Sequence, residues 1–112
     1  MKLSTLAGEG GVTRLAIAGE LDVVTVTELR GEIEKIVATK PTRVEVDLSS
    51  LRMVDSSGVG ALVSLYKRVR LQGGEVLIVG LRDQPLAIFR LLRLDRVLMG
   101  GDGMGQKQSS SV

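Results

Sequence analysis

The residues best suited to chemistry in this 112-residue chain stand together in one octapeptide, MVDSSGVG, at residues 53–60. It joins a segment that alternates like a strand to a segment with helical periodicity. Ser and Asp are favoured where helices begin, because their oxygens accept hydrogen bonds from the free N–H groups of the first turn. A well-made helix cap is one explanation of this peptide. A site where a phosphate is added and removed is the other.

Ser57 is the predicted acceptor of that phosphate. At a helix start, unpaired N–H groups and the positive end of the helix dipole favour an anion. A phosphate on Ser57 would add about −1.5 to −2 charges at pH 7 without breaking the helix beneath it. Only the outer surface would change in sign and shape, which suits a switch that a partner protein reads.

The composition excludes the common catalytic sites. Cysteine and histidine are both absent, so imidazole triads, thiol nucleophiles and the usual zinc sites are unavailable. The octapeptide does not have the G-x-S-x-G spacing of a nucleophile elbow, and no Gly-Lys-Ser/Thr sequence marks a phosphate-binding loop. We predict that the chain is not an enzyme and binds neither a cofactor nor a metal.

Charge and hydropathy exclude two kinds of partner. The formal net charge is +2 and the basic residues are dispersed, and one Phe, one Tyr and no Trp provide no stacking platform. Direct nucleic-acid binding is therefore not predicted. No apolar run approaches the ~20 residues that span a bilayer, and the first residues lack the apolar run of a signal peptide. We expect a cytoplasmic protein without a membrane association.

Periodicity predicts an α/β fold with the order β-β-α-β-α-β-α and an optional last strand. After a first short strand and a glycine turn at residues 8–11, strands are predicted at residues 12–18, 43–48, 75–79 and, optionally, 96–99. Apolar steps of three and four predict helices at residues 24–39, 58–71 and 85–93. The predicted apolar stripe of the first helix is Val26, Leu29, Ile33, Ile36 and Val37. Residues 19–22 are predicted to form a loop.

The alternation of residues 43–48 predicts a sheet that is covered mainly on one side, because apolar and charged side chains occupy opposite faces. The chain is thus predicted to form one domain, residues 1–99, with a mixed sheet of four to five strands and helices mainly on one face. Residues 100–112 are predicted to be a disordered Gly/Ser-rich tail. Asp22 or Thr25 is expected to cap the first helix and Asp83 the last, which would bury Ile88, Leu91 and Leu92.

Four motifs in order resemble one known family. The sequence GELD at residues 19–22, VDL at 46–48, the octapeptide, and GGE at 73–75 together resemble the bacterial STAS domain, specifically the anti-sigma factor antagonists. The resemblance extends from the early strands to about residues 97–98, which is most of the chain.

The resemblance implies a partner-switching function. In that family the unmodified domain binds an anti-sigma factor that is also a serine kinase, and this releases the sigma factor. The kinase phosphorylates the second serine of the D-S-S-G motif, which is Ser57 here, and a metal-dependent Ser/Thr phosphatase restores the domain. ATP therefore belongs to the partner. The family pattern implies a partner-binding surface made of eight residues: Glu20, Asp22, Asp55, Ser56, Gly58, Val59, Gly60 and Leu62.

Two other functions are compatible with the same residues. A STAS domain can act as a non-phosphorylated scaffold subunit of a transport or stress-signalling complex, in which case the octapeptide binds a partner without a phosphate cycle. Nucleotide binding by this domain itself is the second alternative. Intact mass of the protein from its native cells would distinguish the scaffold from the switch, since a scaffold should show no added phosphate, and calorimetry with ATP and GTP on the isolated chain would test nucleotide binding.

Overall fold

The computed structural model describes residues 1–95, which form five strands and three α-helices. The strands are β1 Lys2–Ala7, β2 Val12–Leu21, β3 Arg43–Asp47, β4 Leu51–Val54 and β5 Glu75–Val79. The helices are α1 Val26–Ala38, α2 Ser56–Leu71 and α3 Asp83–Leu91, and a short 3-10 turn, Glu9–Gly11, joins β1 to β2. The predicted mixed α/β architecture is confirmed.

The ten-residue strand β2 organises the sheet. The strand order is β1-β2-β3-β5, with β1 antiparallel to β2 and the other pairs parallel. The first part of β2 pairs with β3, and its last three residues, from Gly19 to Leu21, pair with β4. β2 is therefore long enough to pair with two strands on the same side. Its last residue, Leu21, lies opposite Val54, the last residue of β4.

One aliphatic core lies between the sheet and the helices. Alternate residues of the central strands are buried there, among them Leu15 and Ile17 of β2 and Val44 and Val46 of β3. The other side of β3 carries charged side chains that are partly exposed. All five apolar residues predicted to form the stripe of α1 are buried: Val26, Leu29, Ile33, Ile36 and Val37. Coverage of the sheet mainly on one face follows from this alternation.

The region before the octapeptide differs from the prediction. Residues 19–21 were predicted to lie in a loop, but they continue β2, and Leu51–Val54 forms a strand that was not predicted. This β4 has only four residues, and its burial does not alternate. Pairing with β2 rather than a period-two pattern stabilises it, and a shift of register between Gly19 and Glu20 accommodates the pairing.

The register of α3 was also predicted wrongly. Arg82, not Asp83, occupies the cap position, and the helix buries Pro85 and Phe89. Ile88 is only partly buried, while Leu91 and Leu92 are exposed. Pro85 and Phe89 lie four residues apart on one face, so the single Phe rather than the leucine pair enters the core. The predicted strand at 96–99 and the predicted tail at 100–112 lie outside the described residues.

The register of α3 leads to a stability prediction. Phe89→Ala should lower the free energy of unfolding by about 3–5 kcal/mol, because it removes a fully buried aromatic ring and leaves a cavity. Leu91→Ala on the same helix should change it by less than about 0.5 kcal/mol, since Leu91 is 79% exposed. Urea denaturation followed by circular dichroism measures both; a larger loss for Leu91→Ala would contradict the observed register.

Candidate functional site

Asp55 caps helix α2. It has an extended backbone at the cap position, and its Oδ1 accepts hydrogen bonds from Ser57 N at 2.9 Å and Gly58 N at 3.2 Å. Val59 N, in turn, donates to Asp55 O at 3.0 Å. The carboxylate thereby pairs two of the N–H groups that a helix start leaves free. The helix cap predicted from the octapeptide is present, and Asp55 rather than a serine forms it.

This cap leaves the Ser57 hydroxyl without a structural role among the described residues. Ser57 is the second residue of α2 and is partly exposed, and Ser56 before it is exposed. Within residues 1–95 the Ser57 side chain makes no hydrogen bond, although its backbone N–H donates to Asp55. The structure therefore has an unengaged hydroxyl on the surface at a helix N-terminus, where an added anion is electrostatically favoured.

The two glycines of the corner have different roles. A Cβ on Gly58 would lie 2.6 Å from Leu21 Cγ and 2.7 Å from Val54 Cγ2, so only glycine fits between the ends of β2 and β4. A Cβ on Gly60 would meet nothing within 4 Å, and Gly60 is exposed. Gly58 therefore allows the corner to close, whereas Gly60 leaves open surface beside it.

Asp22 and Thr25 form a hydrogen-bonded turn at the start of α1. Asp22 Oδ1 accepts from Val24 N and Thr25 N, each at 3.0 Å, and Thr25 Oγ1 accepts from Asp22 N at 2.9 Å. Thr25 is the cap residue by position but makes no side-chain cap bond. The backbone hydrogen bond from Thr25 is the main reason that the pKa of Asp22 lies below its usual value. Asp22 is therefore a stably ionised carboxylate.

A surface depression of about 470 Å³ collects most of the predicted polar residues. Its lining includes the four predicted residues Glu20, Asp22, Asp55 and Ser56. Glu20 is exposed on β2, with its carboxylate 3.8 Å from Arg52. The five other lining residues were not predicted as site residues: Leu21, Met53, Val54, Gln84 and Ile88. Within residues 1–95, no basic side chain lines the depression.

Three of the predicted partner-binding residues are in the interior. Gly58, Val59 and Leu62 are buried, and both apolar side chains belong to the core. Their burial was not expected: on a helix, residues three and four apart share a face, and here that face packs against the sheet. Their contact with a partner stays a prediction.

The exposed apolar residues near the depression were missed by sequence reasoning. Val23 is 68% exposed and Val24 is 81% exposed in the turn before α1, and Met53 of β4 is 48% exposed. Apolar side chains in a turn, just outside the stripe of α1, were the available signal. Large apolar side chains in water beside a polar depression are typical of a protein-binding surface.

Comparison with known proteins gives the same family from several directions. Residues 5–106 match the STAS domain family. The chain is 31% identical over 82 residues to the anti-sigma-B factor antagonist of Bacillus subtilis, covering 73% of this chain and 74% of that protein. It is 34% identical over 65 residues to the anti-sigma-F factor antagonist RsfB of Mycobacterium tuberculosis, covering 58% and 53% respectively.

A solved structure agrees in fold. The crystal structure of an anti-sigma factor antagonist from Mycobacterium paratuberculosis superposes with a TM-score of 0.71 at 27% identity, covering 87% of this chain and 83% of that one. The chain therefore belongs to the STAS domain family, and the relatives that it matches are anti-sigma factor antagonists. No helix within residues 1–95 has the length and hydropathy to cross a membrane.

The two glycines give a matched pair of variants. Gly58→Ala should lower the free energy of unfolding by about 1–3 kcal/mol, because the new methyl group overlaps Leu21 and Val54. Gly60→Ala should raise it by about 0.5–1 kcal/mol, because alanine favours the helix and has open space. Equal effects of the two variants in urea titrations would contradict the close packing described for Gly58.

Proposed function

We propose that this chain is an anti-sigma factor antagonist that acts by partner switching. In its unphosphorylated form it binds an anti-sigma factor that is also a serine kinase, so that a sigma factor is released. Phosphorylation of Ser57 ends this binding, and a metal-dependent Ser/Thr phosphatase restores it. The chain is then a binding regulator in the cytoplasm that catalyses no reaction, and the kinase supplies the ATP. The observation that carries the proposal is the Ser57 hydroxyl, which makes no hydrogen bond to any described residue, on a helix that Asp55 already caps.

The surroundings of Ser57 support a phosphate that is tolerated by the fold but repels a partner. The helix N-terminus stabilises an anion beside it, so α2 remains intact. Glu20, Asp22 and Asp55 line the adjacent depression, and none of the lining residues in the described part of the chain is basic. A phosphate would therefore increase an existing negative charge on the surface instead of forming an internal ion pair. A docked partner would have to bury that charge uncompensated, which is costly.

The docking surface in this proposal combines polar and apolar groups. Glu20, Asp22, Asp55, Ser56 and Gly60 remain its polar and backbone parts, all partly or fully exposed. Its apolar part comprises Val23, Val24 and Met53. Such a surface fits a partner that presents an apolar pocket next to basic side chains. Apolar anchors of this kind usually supply more binding energy than exposed charges at the edge.

Phosphate mapping tests the switch. In the protein isolated from its native cells, intact mass should show one added phosphate, and peptide mapping should place it on Ser57. Ser57→Ala should stay folded, lose the phosphate and hold its partner persistently in a pull-down, while the neighbouring Ser56→Ala should still accept phosphate. Ser57→Asp should bind the recovered partner about ten-fold more weakly or worse, as a coupling of about 1–3 kcal/mol requires.

Two outcomes would contradict the switch. Phosphate found on another residue, or a Ser57→Asp variant that binds as tightly as the wild type, would exclude the mechanism. A partner retained by a protein that never gains phosphate would instead indicate a scaffold subunit.

The apolar part of the surface gives a separate prediction. Val24→Ala should weaken partner binding by more than about 1 kcal/mol while leaving the urea midpoint unchanged, because the side chain is exposed and stabilises only a bound partner. Leu71→Ala is the control. Leu71 is about as exposed as Val24 but lies at the C-terminal end of α2, away from Ser57 and the docking surface. Calorimetry with the recovered partner measures the affinity of each variant. If Val24→Ala binds as tightly as Leu71→Ala and the wild type, Val24 is not in the interface.

A further inference from the structure

The side-chain amide of Gln84, in the first turn of α3, binds the last residue of β4 twice. Gln84 Oε1 accepts from Val54 N at 2.9 Å, and Gln84 Nε2 donates to Val54 O at 3.0 Å. An amide that both accepts from and donates to one residue reproduces the pairing that a neighbouring strand would provide. At this residue α3 therefore takes the place of a strand beside β4.

The geometry of β4 explains why Val54 needs this partner. Asp55 N donates to Leu21 O at 3.1 Å, so the backbone of Asp55 faces β2. Because the backbone groups of successive strand residues point to opposite sides, the N–H and C=O of Val54 point away from β2. Val54 is a buried residue, and unpaired backbone groups at a buried position are costly. The two bonds from Gln84 satisfy both groups.

Val54 is mechanically linked to Ser57 through two contacts. It directly precedes Asp55, whose carboxylate holds the N–H groups of Ser57 and Gly58. The Cγ2 atom of Val54 also packs against Gly58, so closely that a Cβ added to Gly58 would lie 2.7 Å from it. A displacement of Val54 therefore displaces both the cap and the first turn of α2, on which the Ser57 hydroxyl is carried.

We propose that Gln84 is a positioning residue for Ser57. By holding both backbone groups of Val54, it sets where β4 ends, where the Asp55 cap lies and thus where the Ser57 hydroxyl is presented. This inference rests on the proposed function, because it concerns how the hydroxyl meets the kinase. Gln84 lies about thirty positions along the chain from Val54 and has no role in the family motifs quoted above.

Amide exchange tests the positioning without any partner. Gln84→Met keeps the length of the side chain and its helix propensity but removes both hydrogen bonds. Gln72→Met is the matched control, since Gln72 Nε2 donates to Val37 O at 3.1 Å at the opposite end of α2. By NMR, Gln84→Met should accelerate exchange of the Ser57 and Gly58 amides about ten-fold, as loss of two bonds predicts, and Gln72→Met by less than about two-fold.

Either of two exchange results would overturn the inference. Ser57 and Gly58 amides within about two-fold of the wild type in Gln84→Met would show that Gln84 positions nothing at the corner. Equal acceleration along the whole of α2 would show that Gln84 is only a general stabiliser of the fold.

Kinetics with the serine kinase recovered in the pull-down give a second readout. Gln84→Met should lower kcat for phosphorylation of Ser57 about ten-fold and raise KM by a smaller factor, because the hydroxyl is misplaced while the exposed docking side chains of the turn before α1, Val23 and Val24, are not held by Gln84. A raised KM with an unchanged kcat would overturn positioning. If no kinase modifies wild-type Ser57, the proposed function fails, and the exchange experiment still decides the role of Gln84.

Discussion

The hydrogen bonds from Ser57 N and Gly58 N to the Asp55 carboxylate are the interaction on which the rest of the site depends. A helix start has N–H groups that need acceptors, and serine is one of the residues that commonly provides them. If Ser57 were the cap, its oxygen would be engaged, and a modification there would disturb the helix. Because Asp55 performs that task, α2 is capped while the serine hydroxyl makes no hydrogen bond within the part of the chain that the structure describes. The start of α2 can then be stable while its surface charge changes through a modification of Ser57.

The corner around this cap is closely packed, which favours a switch by charge over a switch by refolding in the function proposed above. Gly58 is packed between Leu21 and Val54 with no room for a methyl group, and Gln84 holds the strand from the other side. Packed interiors of this kind do not deform continuously. In the proposed switch, a phosphate would therefore alter the electrostatic potential over the adjacent depression, where three carboxylates already lie. The backbone of the corner would keep its position, and a docking partner would respond to the charge.

Sequence periodicity was a good guide where an element is long or strictly alternating. Strand β5 was predicted with its observed bounds, and the five-residue stripe of α1 is buried as predicted. Elements stabilised by pairing or packing with distant segments were not predictable in the same way. Strand β4 has four residues and no alternation, and α3 contains enough apolar residues for more than one register. Local pattern cannot choose between such registers, because the choice depends on which side chain fills the space left by the rest of the core.

The sequence by itself determined the α/β class and the identity of the corner, because hydrophobic period, helix-start chemistry and glycine placement are local properties. Only the tertiary structure decided which residues of that corner face outward. Gly58, Val59 and Leu62 turn inward, while Ser56 and Gly60 face solvent. The structure also brought the turn after β2, the end of β4 and the start of α3 to one depression. These segments are far apart along the chain, and packing of the whole core determines which of them become neighbours.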